Sequence, residues 1–174
     1  LTVRTSFLDM THGFVSGTGV FMYTEETRNK SGNLTVIPHE SFKKVTTALP
    51  KTGAGIVSDS RAINYTFSDY DYLVDCPIEI GNHEEFTFTA AGIPHTVAMY
   101  GWGNYDIPTL QRDMAKIVEA TTDIFKQNPN KDYTFIIHNV TDGQGGLEHI
   151  NSTTLSVNRY TYQGDNYLGF LSLV

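Results

Sequence analysis

Tyr133-Thr134-Phe135-Ile136-Ile137-His138-Asn139-Val140, followed by Gly143-Gln144-Gly145-Gly146-Leu147-Glu148-His149, decides how this chain reads. The first run is apolar and rich in β-branched and aromatic residues, so it reads as a buried strand. The second holds two adjacent glycines with a carboxylate two residues on. Glycine has no Cβ, so the stretch suits a strand edge against which another backbone lies closely. Glu148 would then hold a cation, such as a free amino terminus. A Gly-rich turn bearing a solvated Glu is the commoner origin of such a pattern, and the residues alone leave both readings open. A Thr/Ser/Asn-rich run follows over 151–158. The chain then closes on the apolar Tyr167-Leu168-Gly169-Phe170-Leu171-Ser172-Leu173-Val174, with no cap, charge or turn residue after it. Such a run needs cover. With a start at Leu1 rather than Met, it leads to the expectation that both ends are cuts in a longer protein.

Upstream, Leu110, Met114, Ile117, Val118, Ile124 and Phe125 share one helical face. Gln111, Arg112, Lys116, Glu119, Asp123 and Lys126 take the other. A helix is therefore expected over 108–127, with Asp106 as N-cap, Pro108 in the first turn and Asn128-Pro129-Asn130 as the stop. Before it, 85–90 and 95–100 read as two strands of a hairpin turning at Gly92-Ile93-Pro94. Earlier still, short strand-like segments are expected over 1–7, 34–38, 42–49 and 64–68. Between the first two lies a Gly-punctuated loop from Gly13 leading into a strand that ends at Tyr23. Short strands at this spacing point to a β-sandwich or part of one. The character changes across 69–77. The expected fold class is α+β: a β-sandwich-like N-terminal domain over 1–75, then a mixed sheet with one long helix over 76–174.

The composition bounds the function classes. The chain has 174 residues, 40% hydrophobic and 18% charged, enough for a core without disulfides. Its net charge of −7 argues against nucleic acid or an anionic membrane surface as partner. There is no run of 18 apolar residues, so no membrane span is expected. The single cysteine, Cys76 in Asp75-Cys76-Pro77, has no base beside it and reads as a buried structural thiol. Asn-X-Ser/Thr triplets begin at Asn29, Asn33, Asn64, Asn139 and Asn151, and they matter only in a eukaryotic secretory route. Few Lys and Arg with many Tyr, Asn and Thr lean towards an exported protein. The aromatic residues keep open a second class, a non-catalytic β-rich module binding carbohydrate or peptide. Phosphate binding by Gly143-Gln144-Gly145-Gly146 is disfavoured, since no Lys-Ser/Thr follows and the local charge is acidic.

Gly145-Gly146-Leu147-Glu148-His149, then Asn151-Ser152-Thr153, then the apolar Phe170-Leu171-Ser172-Leu173-Val174, resembles the glycyl aminopeptidase family of zinc metallopeptidases. Leu73-Val74-Asp75-Cys76-Pro77-Ile78-Glu79 resembles that family's Leu-Val-Asp-Ser-Pro-Ile-Glu, with Cys76 in place of the usual Ser. Gly92-Ile93-Pro94-His95 is similar to a further family pattern, and Val45 to Pro50 to the end of its N-terminal β-domain. The resemblance implies a β-rich domain followed by a thermolysin-like catalytic domain, often with a PDZ domain after it. It implies that Gly145 to Glu148 form the edge strand over the active-site cleft, with Gly145, Gly146, Leu147, Glu148 and His149 as substrate-binding residues. A peptide would add to that edge, its free amine paired with Glu148. His149 comes with the motif but without a chemical role. The family carries His-Glu-x-x-His on a helix just after this point. Here His39-Glu40 and His83-Glu84 are followed at the needed position by Lys43 and Thr87. The resemblance thus implies no catalytic residue and no metal ligand in this chain, with zinc held by the remaining C-terminal part of the same protein. The expected substrate is a peptide with a free amino-terminal residue, Gly or Ala by the family's name.

Overall fold

The computed structural model describes residues 2–53 and 59–174, which form two compact units, Val3–Asn82 and His83–Val174. Among the described residues no helix is long and apolar enough to cross a membrane.

The first unit contains β1 (Phe7–Leu8), β2 (His12–Val15), β3 (Gly32–Val36), β4 (Lys44–Thr47), β5 (Lys51–Thr52), β6 (Ile63–Phe67), α1 (Tyr70–Val74) and β7 (Ile78–Gly81). They form two antiparallel sheets, ordered β1-β2-β7-β4 and β3-β6-β5. Both sheets contribute to one core around Val45, Tyr65, Leu73, Cys76 and Ile78. Tyr65 and Cys76 are completely buried there. Asp69 caps α1, its carboxylate accepting the Tyr72 amide at 2.8 Å. Gly17 lies against α1: a Cβ there would stand 2.6 Å from the Val74 Cα, so only glycine fits.

The expected strand over 1–7 reduces to Phe7–Leu8, and the segment from Gly13 to Tyr23 is inverted. The strand comes first, at His12–Val15, and is followed by a 3-10 turn at Gly17–Gly19 and irregular chain. Pairing decides this, because Phe14 lies between Phe7 and Glu79. The first unit also runs on to Asn82 rather than ending near residue 75. The reason is β7, which sits between β2 and β4 and pairs with both along its whole length. The composition change at 69–77 marks α1 and the turn into β7, a feature inside the unit.

The second unit contains β8 (Glu84–Ala90), β9 (Ile93–Tyr100), α2 (Ile107–Phe125), β10 (Tyr133–Val140), β11 (Gln144–Glu148), β12 (Ser152–Asn158) and α3 (Asn166–Leu171). A five-stranded mixed sheet has the order β11-β12-β10-β9-β8. Strands β9, β10 and β12 are parallel, and the outer strands β8 and β11 run antiparallel to their neighbours. Strands β8 and β9 form a hairpin turning at Ala91 and Gly92, both at positive φ (50° and 79°). Pro94 falls just before the point where β10 begins to pair, so its missing N–H leaves that ladder intact.

Asp106 caps α2 by accepting the Thr109 amide at 2.9 Å, and Lys126 ends it in the left-handed conformation at φ 60°. Leu110 and Met114 point from α2 into a core with Val97, Phe135, Leu155 and Phe170. The apolar segment from Tyr167 begins as α3, tied to α2 by the Tyr167 hydroxyl, which donates to Asp113 Oδ2 at 3.2 Å. The polar run 151–158 is a buried interior strand, β12, lying between β10 and β11. Its β-branched residues favour extended backbone, and Leu155 and Val157 alternate with Ser and Thr as a strand requires.

Candidate functional site

Strand β11 is the edge of the five-stranded sheet. It pairs with β12, and its other side pairs with no strand among the described residues. The register sets Gly145 opposite Ser156, Gly146 opposite Leu155, Leu147 opposite Thr154 and Glu148 opposite Thr153. Beyond the strand, the His149 amide donates to the Ser152 carbonyl at 2.8 Å, which marks that pair as a bonded rung. Antiparallel rungs alternate, so Leu147 and Gly145 turn their N–H and C=O groups to β12. Glu148, Gly146 and Gln144 turn theirs outward. The free edge thus presents three sets of backbone donors and acceptors in a row.

The two glycines differ. A Cβ on Gly146 would lie 3.0 Å from Leu155 Cδ2, on the face packed by α2, whereas a Cβ on Gly145 would meet nothing within 4 Å. Glu148 is exposed at the end of the strand, and Leu147 and His149 are half-buried. At the Gln144 end a cleft of about 340 Å³ opens, lined by Gln144, Asn158, Asp165, Asn166 and Phe170 among others. The substrate-binding set that the resemblance implies, Gly145 to His149, leaves out Gln144. The signal for it is simple: Gln144 stands two residues before Gly146, so it shares that residue's outward orientation.

The histidines scatter over both units. His12 lies in β2, with Nδ1 2.8 Å from Glu79 Oε1 of β7, and both side chains are buried. His95 in β9 donates from Nδ1 to the Ile93 carbonyl at 3.1 Å and stacks on Phe88 at 4.6 Å between ring centroids. Burial pushes its pKa down, so the ring is neutral at pH 7. None of the three described helices carries a histidine. His39 lies between strands, and His83 immediately precedes β8. The residues present therefore do not supply two imidazoles one helical turn apart, which a His-Glu-x-x-His zinc site requires.

Residues 1–82 match the Peptidase M61 N-terminal domain. The whole chain also resembles a solved structure, that of an aminopeptidase N family protein from Idiomarina loihiensis. The identity is 31%, the TM-score is 0.84, and the match covers 99% of this chain. The chain spans 30% of that relative's length. Comparison with curated proteins returned no match. The protein is thus peptidase-related: its N-terminal part is similar to the N-terminal domain of M61 peptidases, and its fold is shared with part of an aminopeptidase N family protein.

Proposed function

We propose that this chain carries the substrate-recognition edge of a zinc-dependent aminopeptidase of the glycyl aminopeptidase kind, with β8 to α3 as the start of a thermolysin-like catalytic domain. The observation that carries the reading is the outer edge of β11, which pairs with no strand among the described residues and ends at the exposed carboxylate of Glu148. A peptide aligned antiparallel to β11 begins beside Glu148 and runs towards Gln144. Its backbone pairs with the outward groups of Gly146 and Gln144. Its α-ammonium group meets Glu148 in a charge-assisted contact of about 1.5–3 kcal/mol. An internal peptide segment brings no cation there and leaves the carboxylate unmatched, which selects for amino-terminal residues.

Hydrolysis itself belongs to the rest of the whole protein in this reading. A metal ion there would activate the attacking water. The residues of this chain bind and orient the peptide, and no proton or bond changes hands on them. Amino-terminal Gly or Ala is the preference that goes with this assignment.

The test is the native gene product, purified without truncation. A mass well above 19.4 kDa, about one zinc per chain and release of amino-terminal residues from peptides support the reading. A metal-free product that hydrolyses no peptide removes it.

A further inference from the structure

The two glycines of β11 face opposite sides of the sheet, because side-chain positions alternate along a strand. Gly146 faces Leu155, within the core that α2 packs. Gly145 faces the other side, where a Cβ would have no atom within 4 Å. Its φ is not in the left-handed region, so the backbone does not demand glycine either. Neither packing nor conformation explains the residue at 145. A ligand lying along the edge does.

The ladder geometry identifies which part of that ligand is involved. Gly146 turns its N–H and C=O outward, so a peptide residue opposite it forms a doubly bonded rung. The next residue faces Gly145 in a non-bonded rung, where the Cα atoms approach to about 4.5 Å and side chains crowd most. For an antiparallel peptide whose first residue lies opposite Leu147, beside Glu148, the second pairs with Gly146 and the third faces Gly145. We infer that Gly145 is a specificity-determining position: its bare backbone holds open the side of β11 away from α2 for a large side chain on the third residue of an amino-terminal peptide. Gly146, by contrast, serves the packing of the sheet. The inference rests on the edge-strand reading proposed above.

The test compares Gly-Gly-Phe and Gly-Gly-Gly as substrates of the native gene product, each with a free and an acetylated amine. In the parent, kcat/KM for Gly-Gly-Phe equals or exceeds that for Gly-Gly-Gly. Gly145→Val lowers kcat/KM for Gly-Gly-Phe at least about tenfold more than for Gly-Gly-Gly, a difference of about 1.4 kcal/mol. Gly145→Ala, which adds a single methyl group into open space, gives a smaller selective loss and covers the case in which valine impairs folding. Gly146→Ala lowers the melting temperature and affects both peptides alike. Equal losses for the two peptides in the Gly145 variants, or no loss, overturn the inference while amine selectivity in the parent keeps the edge reading standing. A parent that treats free and acetylated peptides alike, or hydrolyses neither, overturns the edge reading and this inference with it.

Discussion

Glu148 stands opposite Thr153 at the end of the β11–β12 ladder, and the Thr153 hydroxyl is hydrogen-bonded to the Tyr133 hydroxyl on the next strand. Tyr133 also donates to the Ser152 carbonyl at 3.0 Å. The rung that positions Glu148 is therefore anchored through β12 to β10, in the interior of the sheet. Removing the hydroxyl, Tyr133→Phe, leaves the ring packing in place but takes away both bonds. We expect a loss of about 1–3 kcal/mol in stability, read as a lower denaturant midpoint at unchanged slope. An unchanged midpoint would show that the anchor contributes nothing.

The acid side of the stability profile depends on Asp113. Arg112, one residue before it, donates to both carboxylate oxygens at 2.8 Å, and Tyr167 of α3 and Lys116 add further bonds. Arg112 first, then Tyr167, hold the Asp113 carboxyl well below the usual carboxylate range. A depressed carboxyl pKa contributes stability above the unfolded value of about 3.9 and loses it as pH falls through the folded value. Asp113→Asn is expected to lower the melting temperature at pH 7, and the gap to the parent should begin to narrow as pH drops below about 4 and go on narrowing towards the depressed folded value. Burial first, and Asp113 second, push the Tyr167 hydroxyl up to about 12. That contribution is present below the unfolded value of about 10 and fades as pH rises through the folded one. A gap that keeps its full pH 7 size at about pH 2 would contradict the assignment to this carboxylate.

Cys76 is completely buried among Tyr65, Leu73 and Ile78. Its thiol should resist a disulfide reagent in the native state and react stoichiometrically in denaturant, so that labelling follows unfolding of the first unit. Rapid labelling of the native protein would be incompatible with this packing.

The extent to which this structure could be read from the sequence follows from where each signal is local. Helix α2 and its Asp106 cap were legible because the apolar face, the cap and the stop all lie within about two dozen residues of one another. So was β10, as an unbroken apolar run. Strand β12 was not, because Ser152, Thr154 and Ser156 are polar yet buried. Their burial comes from β10 and β11 on either side, a tertiary fact that periodicity does not carry. The extent of the first unit was hidden for the same reason: β7 follows the composition change but pairs backwards with β2 and β4. At the candidate site, the glycines and the carboxylate stood out in the chain. The free edge, the outward amides and the difference between Gly145 and Gly146 depend on the register with β12, which only the folded sheet displays.

The most direct test of the account is the selectivity of the native gene product for free over acetylated amino termini, measured as kcat/KM in the parent and in Glu148→Gln. Glu148 is exposed, so the substitution should leave the melting temperature unchanged. The account predicts that the variant loses about 10- to 150-fold on free-amine peptides, the equivalent of one charge-assisted contact, and that its preference over acetylated peptides collapses. Full selectivity in Glu148→Gln would contradict the assignment of this strand as the site that recognises the amino terminus.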